Sequence, residues 1–232
     1  MSRSRLIQAV SEMLPLGNGG VLVHYGDPRG SDIDLLAVVA ESVELGWVLG
    51  EIDLLVLGAE KCQSLIRAFD PIVVEPLQNG RFVAGSSRLW EELRSSLLSV
   101  KPSDYSVDHL FRRAVDDTQE ASRWLNRYTA SGALRDAQSA LLNLSFACSS
   151  VLIARTIVAN DQVVTLDEVS FSALLKKDPF LWCIRDALSL IKQGIELPNE
   201  YLWGLLSAWN TYILQPSVFD GGLPQSLVPP KS

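Results

Sequence analysis

Histidine is almost missing from this chain: His24 and His109 are the only two among 232 residues. Neither has a cysteine or second histidine at ligand spacing, which excludes the common zinc patterns. Cysteine is scarce as well. Cys62, Cys148 and Cys183 lie far apart in apolar stretches, an odd count that excludes a disulfide framework and predicts buried thiols in a reducing compartment. Basic residues are outnumbered, 20 Lys and Arg against 27 Asp and Glu. The net charge of −7 opposes a nucleic-acid partner, whose phosphates need clustered cations. The chain contains no Gly-x-x-x-x-Gly-Lys-Ser/Thr loop, no Gly-x-Gly-x-x-Gly after a strand, no internal repeat and no low-complexity tract. Its start, Met-Ser-Arg-Ser-Arg-Leu-Ile-Gln, lacks the apolar core of a signal peptide. The most apolar stretch, Leu141 to Ala159, is interrupted by Asn143, Ser145, Ser149, Ser150 and Arg155, and is expected as a buried bundle helix rather than a membrane span. Together these absences predict a cytoplasmic protein with no membrane partner.

What is present is an ordinary globular composition, 47% hydrophobic and 20% charged, in a chain long enough for one large domain or two small ones. Leu6, Ala9, Val10, Met13 and Leu14 recur at helical spacing and predict an amphipathic helix over the first fourteen residues. Strands are expected at 21–25, 32–40 and 51–57, with a polar connection containing Gly46 and Gly50 before the last of them. A helix follows over 60–69, and 72–75 and 81–84, flanking Asn79-Gly80, predict short strands or a hairpin. From Ser86 onward the period is helical. Leu89, Trp90, Leu93, Leu97 and Leu98 form a stripe ending before Pro102, and helices are expected over 104–130, 134–159, 168–177, 180–194 and 199–213. Thr165 and Glu168 fit a capping box. The predicted fold class is an α/β (α+β) domain with a small mixed sheet over 1–100, followed by an all-α helical bundle over 103–215. The tail 216–232, rich in Pro, Gly and Ser, is expected to be extended or disordered.

One stretch is costly to place for packing alone. Gly30-Ser31-Asp32-Ile33-Asp34 opens the apolar run Leu35-Leu36-Ala37-Val38-Val39. Alternation along a strand puts Asp32 and Asp34 on one face, where their charges repel unless a cation intervenes. Asp53, between Ile52 and Leu54-Leu55-Val56-Leu57, is a third carboxylate in an apolar strand expected beside the first. Hard oxygen donors of this kind suit Mg²⁺, which commonly arrives with substrate phosphates, and three carboxylates on adjacent strands can hold two such ions.

The run Tyr25-Gly26-Asp27-Pro28-Arg29-Gly30-Ser31-Asp32-Ile33-Asp34-Leu35 resembles the signature of the DNA polymerase β-like nucleotidyltransferase superfamily: a strand ending in glycine, a short connection, Asp-x-Asp, and a third carboxylate on a later strand. It is most similar to the minimal and kanamycin-type branch, where Asp70-Pro71-Ile72 through Leu77, Asn79-Gly80 and Phe82-Val83-Ala84-Gly85 resemble the closing Pro…Leu-x-x-Gly-x-x-x-x-Gly stretch, and a helical bundle often follows. The resemblance implies that Asp32 and Asp34 hold both Mg²⁺ ions and that Asp53 completes the activating site. It implies that Gly26, Gly30 and Ser31 admit the nucleotide phosphates. Arg29 is a separate candidate for nucleotide binding through a phosphate contact, equally explained as a solvated loop cation. The implied partners are a nucleoside triphosphate and a hydroxyl acceptor, either a small molecule or a protein. The branch often works beside HEPN proteins, but no Arg is followed by His after four to six residues here, which excludes that ribonuclease activity in this chain.

The chain departs from the pattern at Asp27, where a serine is usual, and in the short run from Gly26 to Asp32. Two readings therefore stay open: a Mg²⁺-dependent nucleotidyltransferase, and a catalytically degenerate binding or regulatory module acting through its helical domain, including as a homodimer. Lys61, Glu51, Glu75 and the acidic cluster Asp116, Asp117 and Glu120 are secondary candidates, each more simply explained as solvated surface. Trp124, Trp182 and Trp203 are expected as core or interface anchors.

Overall fold

The structure, a computed structural model, describes residues 2–17, 19–26, 33–41, 44–49, 52–160 and 165–214. Two compact units divide the chain, Met1–Pro102 and Ser103–Ser232. The first is a mixed α/β unit, and the second has helices as its only regular elements among the described residues.

In the first unit, helix α1 (Arg3–Met13) precedes strands β1 (Val21–Tyr25), β2 (Ile33–Val39), β3 (Glu44–Leu49) and β4 (Ile52–Gly58). Helices α2 (Ala59–Arg67) and α3 (Pro71–Asn79), strand β5 (Arg81–Gly85) and helix α4 (Ser87–Ser99) complete it. The five strands run in the order β3-β4-β2-β1-β5. β2 and β4 are parallel at its centre, and the remaining pairs are antiparallel. Both faces are apolar, as a central sheet covered by helices requires. On one face Leu22, Leu35, Ala37, Leu54 and Val56 meet Val10, Leu6 and Ile7 of α1. On the other, the buried Val21, Val23, Leu36, Val38 and Leu57 alternate with them, and α2, α3 and α4 contact the strands.

Two local expectations are corrected. The connection around Gly46 is a strand, β3, whose backbone pairs with β4 from Glu44↔Leu57 to Leu49↔Ile52. Glycine read there as punctuation is overruled by ladder pairing with a neighbour. Residues 72–75 are helical, not a strand. The β-branched run Ile72-Val73-Val74 reads as extended, but Asp70 caps it, accepting from Ile72 N at 3.0 Å, and Pro71 occupies the first turn. Asn79-Gly80 then ends a helix instead of turning a hairpin. A side chain on Gly80 would overlap Pro76 O and the Val23 side chain, so glycine lets α3 close onto β1.

The second unit consists of α5 (Asp104–Ser131), α6 (Leu134–Ala159), α7 (Leu166–Val169), α8 (Phe171–Lys177), α9 (Pro179–Lys192) and α10 (Asn199–Leu214). The Thr165–Glu168 capping box is present, with Thr165 N donating to Glu168 Oε2 at 2.8 Å. The helix expected over 168–177 is two, interrupted at Ser170, whose side chain caps α8. By length and composition α6 could cross a membrane, yet 61% of its most apolar window is buried, including Ala140, Leu144, Cys148, Val151 and Ala154. It serves as the central helix of this unit, with α5 and α9 against it. All three cysteines are buried, and burial pushes the Cys62 thiol up to about 12. Trp209 is fully buried, and its Nε1 donates to Thr118 Oγ1 at 2.8 Å. The three tryptophans singled out from sequence are not core residues: Trp182 is exposed, and Trp124 and Trp203 are half-buried. The tail 216–232 lies outside the described residues.

Candidate active site

The register places chemistry at one end of the sheet. β1 ends where β2 and β4 begin, so Tyr25 pairs with Asp34, and Asp34 pairs in turn with Asp53. Register partners point to the same face, and neighbouring strands are about 4.8 Å apart. Tyr25, Asp34 and Asp53 therefore form one row across three strands, all half-buried, at the rim of the face carrying α3. The expectation that Asp53 lies beside the Asp34 strand is met in register.

Gly26 follows Tyr25 with φ of +79°, a left-handed conformation that L side chains rarely adopt. A Cβ built there would overlap Asp34 Oδ2. The turn is thus a cradle for the Asp34 carboxylate, and only glycine leaves it open.

Tyr25 is the residue that sequence reasoning passed over. Burial first, then the charges of Asp34, Asp53 and Glu75, push its phenol far above the ordinary tyrosine value. The phenol stays protonated and offers an O–H donor among carboxylates. Its position beside Gly26, at the end of the first strand, was the available signal. Glu75, considered from sequence as a solvated base, belongs to this neighbourhood because 71–79 is a helix: α3 brings it toward Tyr25, and Asn79 Nδ2 donates to its Oε1 at 2.9 Å.

Other candidates separate from the row. Lys61 is exposed on the first turn of α2, beyond the opposite end of β4 from Asp53. His24 alternates with Tyr25 and so faces the α1 side of the sheet, away from the carboxylates. In the second unit the acidic cluster is dispersed along α5: Asp117 pairs with Arg113 at 3.2 Å, Glu120 pairs with Arg123, and Asp116 is exposed. Asp32, Arg29, Gly30, Ser31, Asp27 and Glu51 lie outside the described residues. Among the described residues no three His, Cys, Asp or Glu side chains gather as a metal cluster. Two carboxylates in one row, with a third expected two residues before Asp34, nonetheless form the oxygen-only donor set that a hard divalent cation takes.

No protein-family model matches the chain, and no curated protein matches it. Among solved structures the chain is similar to a nucleotidyltransferase-like protein from Exiguobacterium sibiricum 255-15. The two share 17% identity over 94% of this chain and 75% of that one, with a TM-score of 0.35.

Proposed function

We propose that the chain is a Mg²⁺-dependent nucleotidyltransferase of the DNA polymerase β-like superfamily, in the minimal or kanamycin-type branch. It moves a nucleoside monophosphate from a nucleoside triphosphate to a hydroxyl on a small molecule or protein. The observation that carries this reading is the register pairing of Asp34 with Asp53, beside a glycine turn that cradles the first of them. The donor set fits Mg²⁺, which when bound neutralises triphosphate charge and makes a hydroxyl easier to deprotonate. Asp34 and Asp53, with Asp32, hold it. Asp53 accepts the proton of the acceptor hydroxyl, whose oxygen bonds to the α-phosphorus as the bond to the bridging oxygen breaks and pyrophosphate leaves. Tyr25, kept protonated, donates toward the carboxylates and orients them without competing as an anion.

The test is transfer of labelled monophosphate from each nucleoside triphosphate, with Mg²⁺, across panels of hydroxyl-bearing small molecules and proteins. Asp34→Ala with Asp53→Ala should abolish transfer; turnover surviving that pair would overturn the metal assignment. The second reading, a module that has lost turnover, is favoured by Asp27 and the short run to Asp32. Calorimetry separates the two. Metal-dependent nucleotide binding supports the enzyme, and its absence supports the module.

A further inference from the structure

The opposite face of the sheet carries a second polar group at the same end. His24 pairs with Arg81 of β5, so the two side chains share the face covered by α1. Arg3, the first residue of α1, acts on the same imidazole. Burial first, then the charges of Arg3 and Arg81, hold the His24 pKa below its ordinary value. Among the described residues the buried His24 Nε2 has no hydrogen-bond partner. Buried polar atoms are almost always satisfied, and an exception asks for an explanation.

We infer that His24, Arg3 and Arg81 form a binding site for a phosphate group. Two guanidinium forks, which are donors only, and an imidazole that adds one N–H come from three different elements, and together they suit an acceptor-rich anion. A carboxylate has two coplanar oxygens. A phosphate has three or four in a tetrahedron, enough to meet three donor groups at once, with charge-assisted bonds to both arginines. The ligand class is therefore inorganic phosphate, pyrophosphate or a phosphorylated compound. Because residues 24 and 25 alternate, this site is separated from the Asp34–Asp53 row by the sheet itself, and it does not depend on the nucleotidyltransferase reading.

The chain's two histidines make the test direct. In long-range ¹H–¹⁵N spectra of the full chain at pH 7 and constant ionic strength, without divalent metal, inorganic phosphate and pyrophosphate are titrated separately. A saturable shift of the His24 imidazole, with His109 on α5 unmoved, supports the site. Stronger saturation by pyrophosphate than by phosphate assigns a polyphosphate chain, and equal saturation a single phosphoryl group. Arg81→Gln should weaken affinity by about tenfold or more. Arg3→Gln provides the same readout if Arg81→Gln fails to fold, while Asp53→Asn should bind phosphate as the wild type does. The inference is overturned by no saturable shift at His24, by an equal shift with chloride, or by unchanged affinity in both arginine variants. Metal-free binding that survives Asp53→Asn also keeps a failed transfer assay from being mistaken for failure of this site.

Discussion

In the helical unit the buried Asp178 is met by donors: Phe180 N at 2.9 Å, Leu181 N at 3.0 Å and the Tyr212 hydroxyl at 2.6 Å. Arg155 stacks over Tyr212, 4.9 Å from the ring centroid. In the sheet unit Asp34 and Asp53 stand side by side, and their charges and that of Glu75 all act on the Tyr25 phenol. The same side-chain type caps a helix and anchors a tyrosine in one unit, and in the other it is set among like charges at a strand rim. A carboxylate surrounded by donors lowers the free energy of the fold, whereas clustered carboxylates raise it unless something cationic joins them. Folding alone accounts for Asp178, and the Asp34–Asp53 row is where the proposed function puts a divalent cation.

The sharpest way to break this contrast is to neutralise both sets. Asp34→Asn with Asp53→Asn should reduce nucleotidyl transfer by more than about a hundredfold, beyond the effect of losing an outer-shell partner of a metal ligand. Thermal melting of that variant should show Tm unchanged or raised, because like-charged neighbours on paired strands are removed. A large fall in Tm would make the row structural.

Asp178→Ala should do the opposite, lowering stability by about 2–4 kcal/mol in urea unfolding through loss of the α9 cap and of the Tyr212 partner. Gly26→Ala should cost about 1–3 kcal/mol from its left-handed backbone, and the added methyl displaces the Asp34 carboxylate. Metal-dependent nucleotide binding measured by calorimetry should weaken with it.

The smallest effect concerns His24. Its folded pKa lies below the unfolded 6.5, so below that value the unfolded chain binds more protons and stability falls as pH drops from 6.5 toward the folded pKa. His24→Gln should flatten that part of a Tm-against-pH curve; a curve unchanged by the substitution would contradict the burial and cationic surroundings assigned to this ring.

Much of the fold was readable locally. The apolar periods of α1, α5, α6 and α10 are long, and the capping residues Thr165 and Glu168 announce their own turn. Residues 71–79 and 44–49 were misread because their local signals compete. Three β-branched or apolar residues argued against a helix that Asp70 and Pro71 start, and Gly46 argued against a strand that β4 pairs. Of the candidate site, Asp34, Asp53 and Gly26 were legible as types out of place: charges in apolar strands, and glycine at a strand end. Tyr25 and Glu75 were not, since a tyrosine ending a strand and a glutamate in a short apolar segment are unremarkable until α3 is folded against β1.

By itself, the sequence determined which segments are helical or extended over most of the chain, and that two carboxylates open its central strands. These follow from periodicity and from the free energy of placing charge among apolar residues, both of which act along a few neighbouring positions. Only the tertiary structure decided that Asp34 faces Asp53 in register, that Tyr25 joins their row, and that His24 meets Arg81 on the reverse side. Strand order and register are set by hydrogen bonds and burial between distant segments, and shifting a strand by one residue would exchange one face for the other.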